Sequence, residues 1–199
     1  MAVAIDRSFG AEWAVEVLAG RPLILPRRHY VYPAEVEEVE RGALELMVQP
    51  LEGEAFLATC ALGFASPAVP TGVWNCPDPA MVCALAGGYG YMIDSRAPDR
   101  WQQMGYRPVT EVRPLPESGL LVFASFHSIE AWGAAGRLWQ TARLSWEGVR
   151  LGEATAKELR GWGWELRTDT EVEFAVDLAT GKHRGGPAFL RDQGSRISS

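Results

Sequence analysis

The sequence predicts an all-β protein built from consecutive antiparallel meanders. Three observations lead there. Apolar residues recur two apart over long stretches, as at Val172, Phe174, Val176 and Leu178, which sets them on one face of a strand. The 21 glycines and 13 prolines gather between such stretches, where turns belong. A common turn pattern returns at positions 6, 49, 94, 132 and 177, so at steps of 38 to 45 residues. Steps of roughly 40–50 residues are those of propeller blades. The expected architecture is therefore propeller-like, with about four or five small blades. A two-sheet β-sandwich is the alternative.

Each copy of the turn has the same layout. An anchor residue closes a strand: Asp6, Gln49, Asp94, Trp132 or Asp177. Four places on comes Gly10, Gly53, Pro98, Gly136 or Gly181. Seven places on comes Trp13, Phe56, Trp101, Trp139 or, in the last copy, Arg184. The residues three and one before each anchor are apolar: Val3 and Ile5, Leu46 and Val48, Tyr91 and Ile93, Ile129 and Ala131, Phe174 and Val176. A carboxylate at a strand end accepts hydrogen bonds from turn amides, and glycine takes the positive φ such turns require. The aromatic then opens the next strand, where a half-buried pleated surface suits it. These aromatics are expected in the core.

The last copy, Phe174-Ala-Val-Asp-Leu-Ala-Thr-Gly181-Lys, resembles the hairpin of PQQ-type β-propeller repeats, which run apolar-x-Asp-x-x-Thr-Gly. The resemblance covers about eight residues per copy and is closest here. It implies a propeller-like fold.

Taken in order, residues 1–26 give a strand, the first turn and a second strand through Trp13, Val15 and Val17. Pro33, the acids after it and Gly42 mark a short helix over about residues 33–41. Residues 43–65 give two strands about the Gln49 turn. Ser66–Pro79, SPAVPTGVWNCPDP, is expected as a long irregular loop. Met81–Asp94 returns to strand around Gly87-Gly-Tyr-Gly90, and no helix follows those glycines to make them a phosphate loop. Arg107–Pro114 alternates. Leu120–Leu144 is the principal hairpin, turning at Gly133–Gly136. Val149–Ala154, Leu159–Leu166 and Glu171–Leu178 are further strands. One domain over residues 1–184 is expected, with a polar, disordered tail over 185–199.

At 199 residues the chain can bury a sizeable core. Its net charge of −6 opposes nucleic-acid binding, which needs clustered cations. No apolar run reaches the ~18–20 residues of a membrane helix, and the opening residues hold no secretory apolar segment. Three cysteines, Cys60, Cys76 and Cys83, are an odd number and point to free thiols in a reducing compartment. The cytoplasm is the expected location. No metal is expected, because the cysteines form no close C-x-x-C pair and His29, His127 and His183 lie far from them. No cofactor is expected either.

Eight tryptophans are the unusual feature of the composition. Trp13, Trp101 and Trp139 belong to the turn pattern. Trp74, in the expected loop, and Trp162 and Trp164, around Gly163, do not. A strand through Trp162 and Trp164 shows two indoles on one face, and exposed indoles anchor partners or stack on sugars. His127 lies next to Ser128 and two residues after Ser125, but no G-x-S-x-G elbow accompanies it. Asp94 and Asp177, as turn anchors, suit capping better than paired-carboxylate chemistry. The binding candidates are thus Trp74, Trp162, Trp164 and His127. The expected function is a non-catalytic binding or protein-interaction domain. Its partner would be a protein, a second copy of the chain included, or a small polar ligand. The alternative is an enzyme acting on a carbohydrate or small polar ligand, which needs a pocket where a carboxylate or imidazole meets exposed aromatics.

Overall fold

Period-two alternation and regular turn chemistry give strands too short to bury their apolar faces alone, so they pair into small sheets and the sheets stack. The structure, a computed structural model, describes residues 3–34 and 41–189. The described residues form 17 strands in four sheets. Helix among them is confined to one 3-10 turn, Pro116–Ser118. The helix expected over residues 33–41 falls mainly on 35–40, which lie outside the described residues.

The first sheet runs β2 (Trp13–Val17), β4 (Ala43–Pro50), β5 (Phe56–Ala61) and β3 (His29–Tyr32), with β3 parallel to β5. The second runs β1 (Ala4–Asp6), β6 (Gly72–Asn75), β7 (Met81–Ala86), β8 (Tyr89–Asp94) and β9 (Trp101–Gln103), with β1 parallel to β6. The third is a plain meander of β10 (Val109–Leu115), β11 (Leu120–Ser125), β12 (Ile129–Gly133) and β13 (Gly136–Gln140). So is the fourth, of β14 (Val149–Ala154), β15 (Glu158–Glu165), β16 (Thr170–Asp177) and β17 (His183–Gly185).

Three apolar layers separate the four sheets. Leu46, Val48, Phe56, Val82, Tyr91 and Ile93 fill the first. Trp74, Leu85, Met92, Leu121, Phe123 and Trp132 fill the second. Val122, Ile129, Trp139, Leu159, Phe174 and Val176 fill the third. The fold is thus a propeller-like succession of four blades. A two-sheet sandwich has one such layer, and the alternative fails on that count. Among the described residues no apolar layer joins the first sheet to the fourth, so the stack is open at both ends.

Aromatic donors latch each outer pair of sheets together. Between the first and second, the Trp13 indole donates to the Met81 carbonyl at 3.1 Å, Tyr32 to Pro98 at 2.9 Å and Tyr91 to Ala61 at 2.9 Å. Between the third and fourth, Trp139 donates to Leu178 at 2.8 Å. Trp139 also lies over Gly181, where φ is +70° and a β-carbon would sit 2.8 Å from the indole. The turn pattern therefore serves two jobs, reversing the chain and receiving the neighbouring blade.

The anchors cap as their chemistry predicts. Asp177 Oδ1 accepts from the amides of Ala179 and Thr180 and from the Thr180 hydroxyl, at 2.8–3.1 Å. That hydroxyl, with the amides, holds the Asp177 carboxyl below its usual range. Asp94 and Asp6 cap the amides of Arg96 and Ser8 in the same way. The copies at Gln49, Asp94, Trp132 and Asp177 each join neighbouring antiparallel strands. The copy at Asp6 does not: β1 and β2 enter different sheets.

Two further expectations are corrected. The loop expected over Ser66–Pro79 contains β6, whose four residues are all buried. The principal hairpin has three strands, because the chain turns again between β11 and β12. There the Ser125 hydroxyl accepts from the amides of His127 and Ser128 and offers the backbone a tight reversal. Beyond residue 184 the chain keeps contact with the fourth sheet. The Gly186 amide donates to Glu173 at 2.8 Å, the Ala188 amide to Glu165 at 2.7 Å, and the Phe189 ring packs tilted against Trp146. Residues 190–199 lie outside the described residues.

Candidate functional site

The alternation of glycine and tryptophan in β15 divides the strand between two environments. Leu159, Gly161, Gly163 and Glu165 point to the third sheet and are buried. A β-carbon on Gly161 would lie 2.5 Å from the Phe174 ring, and one on Gly163 would lie 1.8 Å from the Leu144 carbonyl oxygen. Only glycine fits at those two positions. Arg160, Trp162 and Trp164 point the other way, onto the outer face of the last sheet.

Cross-strand register places the rest of that face. Arg150 on β14 is opposite Trp162, while Glu173 and Glu171 on β16 are opposite Trp162 and Trp164. The Trp162 indole lies across Gly152, where a β-carbon would come within 2.7 Å of the ring. The Arg150 guanidinium stacks on the indole, 4.1 Å from its centroid. The same guanidinium grips Glu171 through Nε at 3.1 Å and Nη2 at 2.6 Å. Arg160 reaches Glu158 at 3.2 Å and Glu173 at 3.5 Å, and Arg184 pairs with Glu158 as well. These partners hold the Glu171 and Glu158 carboxyls below their usual range, chiefly through the hydrogen bonds from Arg150 and Arg184. Both carboxylates stay ionised and engaged at neutral pH. Beside the indoles a shallow hollow of about 290 Å³ opens between Arg160, Glu173 and Arg184.

Both indoles are half-buried, so each keeps part of its surface in water. The structure thus brings Trp162 and Trp164 onto one free face. Trp74 goes elsewhere: it is 8% exposed and packs between the second and third sheets. His127 lies exposed at the β11–β12 turn. Its Nδ1 is 3.3 Å from the Ser145 carbonyl, and the Ser145 hydroxyl accepts from the Trp164 amide at 2.8 Å. His127 therefore borders the indole face without joining it. The Ser125 hydroxyl is spent on backbone groups, so it is no nucleophile for this imidazole. Asp94 and Asp177 cap turns of different sheets.

A second polar group of residues was not singled out by their spacing. On the outer face of the first sheet, Arg21 donates to Glu45 at 3.0 Å, the Thr59 hydroxyl donates to Glu45 at 2.6 Å, and His29 Nε2 is 2.8 Å from that hydroxyl. The single hydroxyl proton goes to the carboxylate, so the imidazole donates to the hydroxyl oxygen. A hydroxyl between carboxylate and imidazole is the wrong order for an activated nucleophile. Burial, then Arg21, push the His29 pKa down and favour its neutral form. Sequence alternation in Val149–Ala154 and Glu171–Leu178 could have placed Arg150, Glu171 and Glu173 beside the indoles. The four residues around Glu45 meet only through strand pairings distant in sequence.

Among the described residues no helix is long and apolar enough to cross a membrane, and no cluster of three metal-ligating side chains occurs. No family model matches the chain, and no curated protein matches it. Solved structures show similarity, among them the two that follow. One is a eukaryotic initiation factor, with 12% identity, 71% of this chain and 40% of that one covered, and a TM-score of 0.37. The other is the N-terminal domain of Nup159, with 13% identity, 92% and 53% covered, and a TM-score of 0.37. The chain spans about half or less of the length of these structures.

Proposed function

We propose that this chain is a non-catalytic protein-interaction domain that docks its partner on the outer face of the fourth sheet. One observation carries the reading: among the described residues no further sheet covers that face, and two partly exposed indoles stand on it, Trp162 held by Arg150. Arg150 stacks on Trp162 and is itself held by Glu171, so little side-chain freedom remains to be lost on binding. Tryptophan and arginine are the residue types most enriched at energetic centres of interfaces. Glu158 and Glu171 are tied to arginines and kept ionised, which suits recognition and not proton donation. The hairpin resembling PQQ-type repeats acts in this reading as a latch for Trp139. The three buried free thiols suit a reducing compartment such as the cytoplasm.

A photo-crosslinking phenylalanine analogue at position 162, introduced in the chain's own cells, tests this. Discrete covalent protein adducts are expected from position 162 and none from exposed position 117. Equal labelling from both positions, or none from 162, would refute the proposal. A panel of sugars that raises the melting temperature of the parent but not of Trp162→Ala would replace the protein partner by a small polar ligand.

A further inference from the structure

The side chains of β12 alternate between two apolar layers. Ile129 and Ala131 face the third layer, and Trp132 faces the second. Glu130 has the same parity as Trp132, so a carboxylate stands where the second layer would take an apolar side chain. It is only 6% exposed. Its Oε1 accepts from the Trp132 indole. Its Oε2 is buried and has no hydrogen-bond partner among the described residues. The Arg137 guanidinium stands 3.7 Å from Oε2, beyond hydrogen-bond reach, and is about half exposed. It balances charge from the rim and leaves the lone pairs of that oxygen unfilled. The nearby hydroxyls of Ser125 and Ser128 turn to each other, and that of Ser125 also to the backbone. A buried acceptor without a donor is rare in a folded protein and points to a group that supplies one.

Glu130 lines a cavity between the second and third sheets, together with Met104, Tyr106, Phe123 and Ser128. Its volume of about 10 Å³ holds one group the size of a water molecule. Two aromatic rings and a thioether among its walls are surfaces that attract a cation. The carboxylate has drawn only donors to itself, an indole N–H and, at longer range, an arginine. We infer that this cavity binds a primary alkylammonium group. The ammonium donates to Glu130 Oε2, and the alkyl stem runs out past Phe123 and the exposed Tyr106. A primary ammonium is a compact charge that matches a water in size, whereas a planar guanidinium is too broad for the cavity. Arg137 competes for the same oxygen from outside and turns to water when the ligand enters. The site does not rest on the indole face of the fourth sheet. A free amine and the lysine side chain of a partner protein offer the same chemistry.

Trp132 shares the carboxylate with the ligand, so its indole N–H reports occupancy. Proton–nitrogen correlation spectra of the full chain follow that signal, which is assigned by its loss in Trp132→Phe. Titration with n-butylammonium chloride should shift it saturably, against a blank of sodium chloride at the same ionic strength. The neutral isostere n-butanol should leave it in place. Glu130→Gln keeps the shape and removes the charge, so affinity should fall about tenfold, the difference between a charge-assisted and a neutral hydrogen bond. Arg137→Gln removes the competing cation from an exposed position and should bind more tightly than the parent, which keeps the test open if Glu130→Gln does not fold. Tighter binding of the capped tripeptide Gly-Lys-Gly than of n-butylammonium assigns the ammonium to a partner's lysine, and the reverse order assigns it to a free amine. A shift that never saturates overturns the inference, as does an equal response to n-butanol. Unchanged affinity in a folded Glu130→Gln overturns it too, and so does binding by Arg137→Gln no tighter than the parent's.

Discussion

Trp139→Ala is the sharpest probe of how the blades hold together. The side chain is 9% exposed, lies over Gly181 and donates to Leu178 at 2.8 Å. Truncating a buried tryptophan costs about 3–5 kcal/mol. The Leu178 carbonyl, in a buried residue, also loses its donor, which costs about 1–3 kcal/mol on its own. The loss should therefore lie toward the upper end of the first range, a large share of the roughly 5–15 kcal/mol of a typical domain. At about 2–4 °C per kcal/mol for a chain of this size, the melting temperature should fall by about 10–20 °C. Trp139→Phe keeps most of the ring and loses the donor, so about 1–3 kcal/mol is expected. Trp162→Ala removes a partly exposed ring that lies outside the three apolar layers, so the cost should be smaller, about 1 kcal/mol. Thermal melts followed by circular dichroism compare the three. Equal shifts for Trp139→Ala and Trp162→Ala, or a larger one for Trp162→Ala, would refute the division between latch and free face.

Other expectations follow from single contacts. Gly163→Ala must displace the Leu144 carbonyl from 1.8 Å, so its urea midpoint should fall further than that of Trp139→Ala, while Gly10→Ala, with nothing within 4 Å, should match the parent. Cys60, Cys76 and Cys83 are free and buried, and burial pushes all three thiols up; a thiol reagent at pH 8 should label none in the native chain and three after denaturation. Glu158 and Glu171 have folded pKa values below their ordinary 4.5, so their stabilisation is present above that value and is lost as pH falls through the lower folded values. Glu171→Gln should lower the melting temperature at pH 7 and flatten its decline in acid; an unchanged acid profile would show that the pair with Arg150 contributes nothing.

The fold was legible where its information is local. Alternation marked the strands, and the recurring turn pattern, with a carboxylate anchor at Asp94 and Asp177, marked four hairpins. The pairing of Trp162 with Trp164 on one face followed from a two-residue period alone. What escaped is non-local. Asp6 caps its turn as Asp94 and Asp177 do, yet β1 leaves for the second sheet, because turn chemistry reverses a chain without choosing its next neighbour. Trp74 sits in a four-residue strand flanked by Pro70, Pro77 and Pro79, a composition that mimics a loop until burial against Leu85 and Phe123 is seen. The Leu120–Phe126 run concealed a turn, since the Ser125 hydroxyl and not a glycine makes it. The arginines of the indole face were missed for another reason. A single Arg or Glu on a strand is ordinary, and only register turns Arg150, Glu171 and Trp162 into one unit.

The parallel pairing of β1 with β6 has a consequence for synthesis. Ala4 pairs with Gly72 and Asp6 with Trp74. The third and fourth sheets, by contrast, pair each strand with the one just made. At roughly 5–20 residues per second on the ribosome, β1 must wait about 3–14 s for its neighbour to emerge. The first sheet can pair its own strands meanwhile, but its apolar side stays bare until β7 and β8 arrive to cover it. The nascent chain thus passes through a stage with an exposed sheet and a loose leading segment, the condition in which chaperones bind and chains aggregate. Within the first two sheets β1 is made before the rest and yet must wait for β6 to be placed.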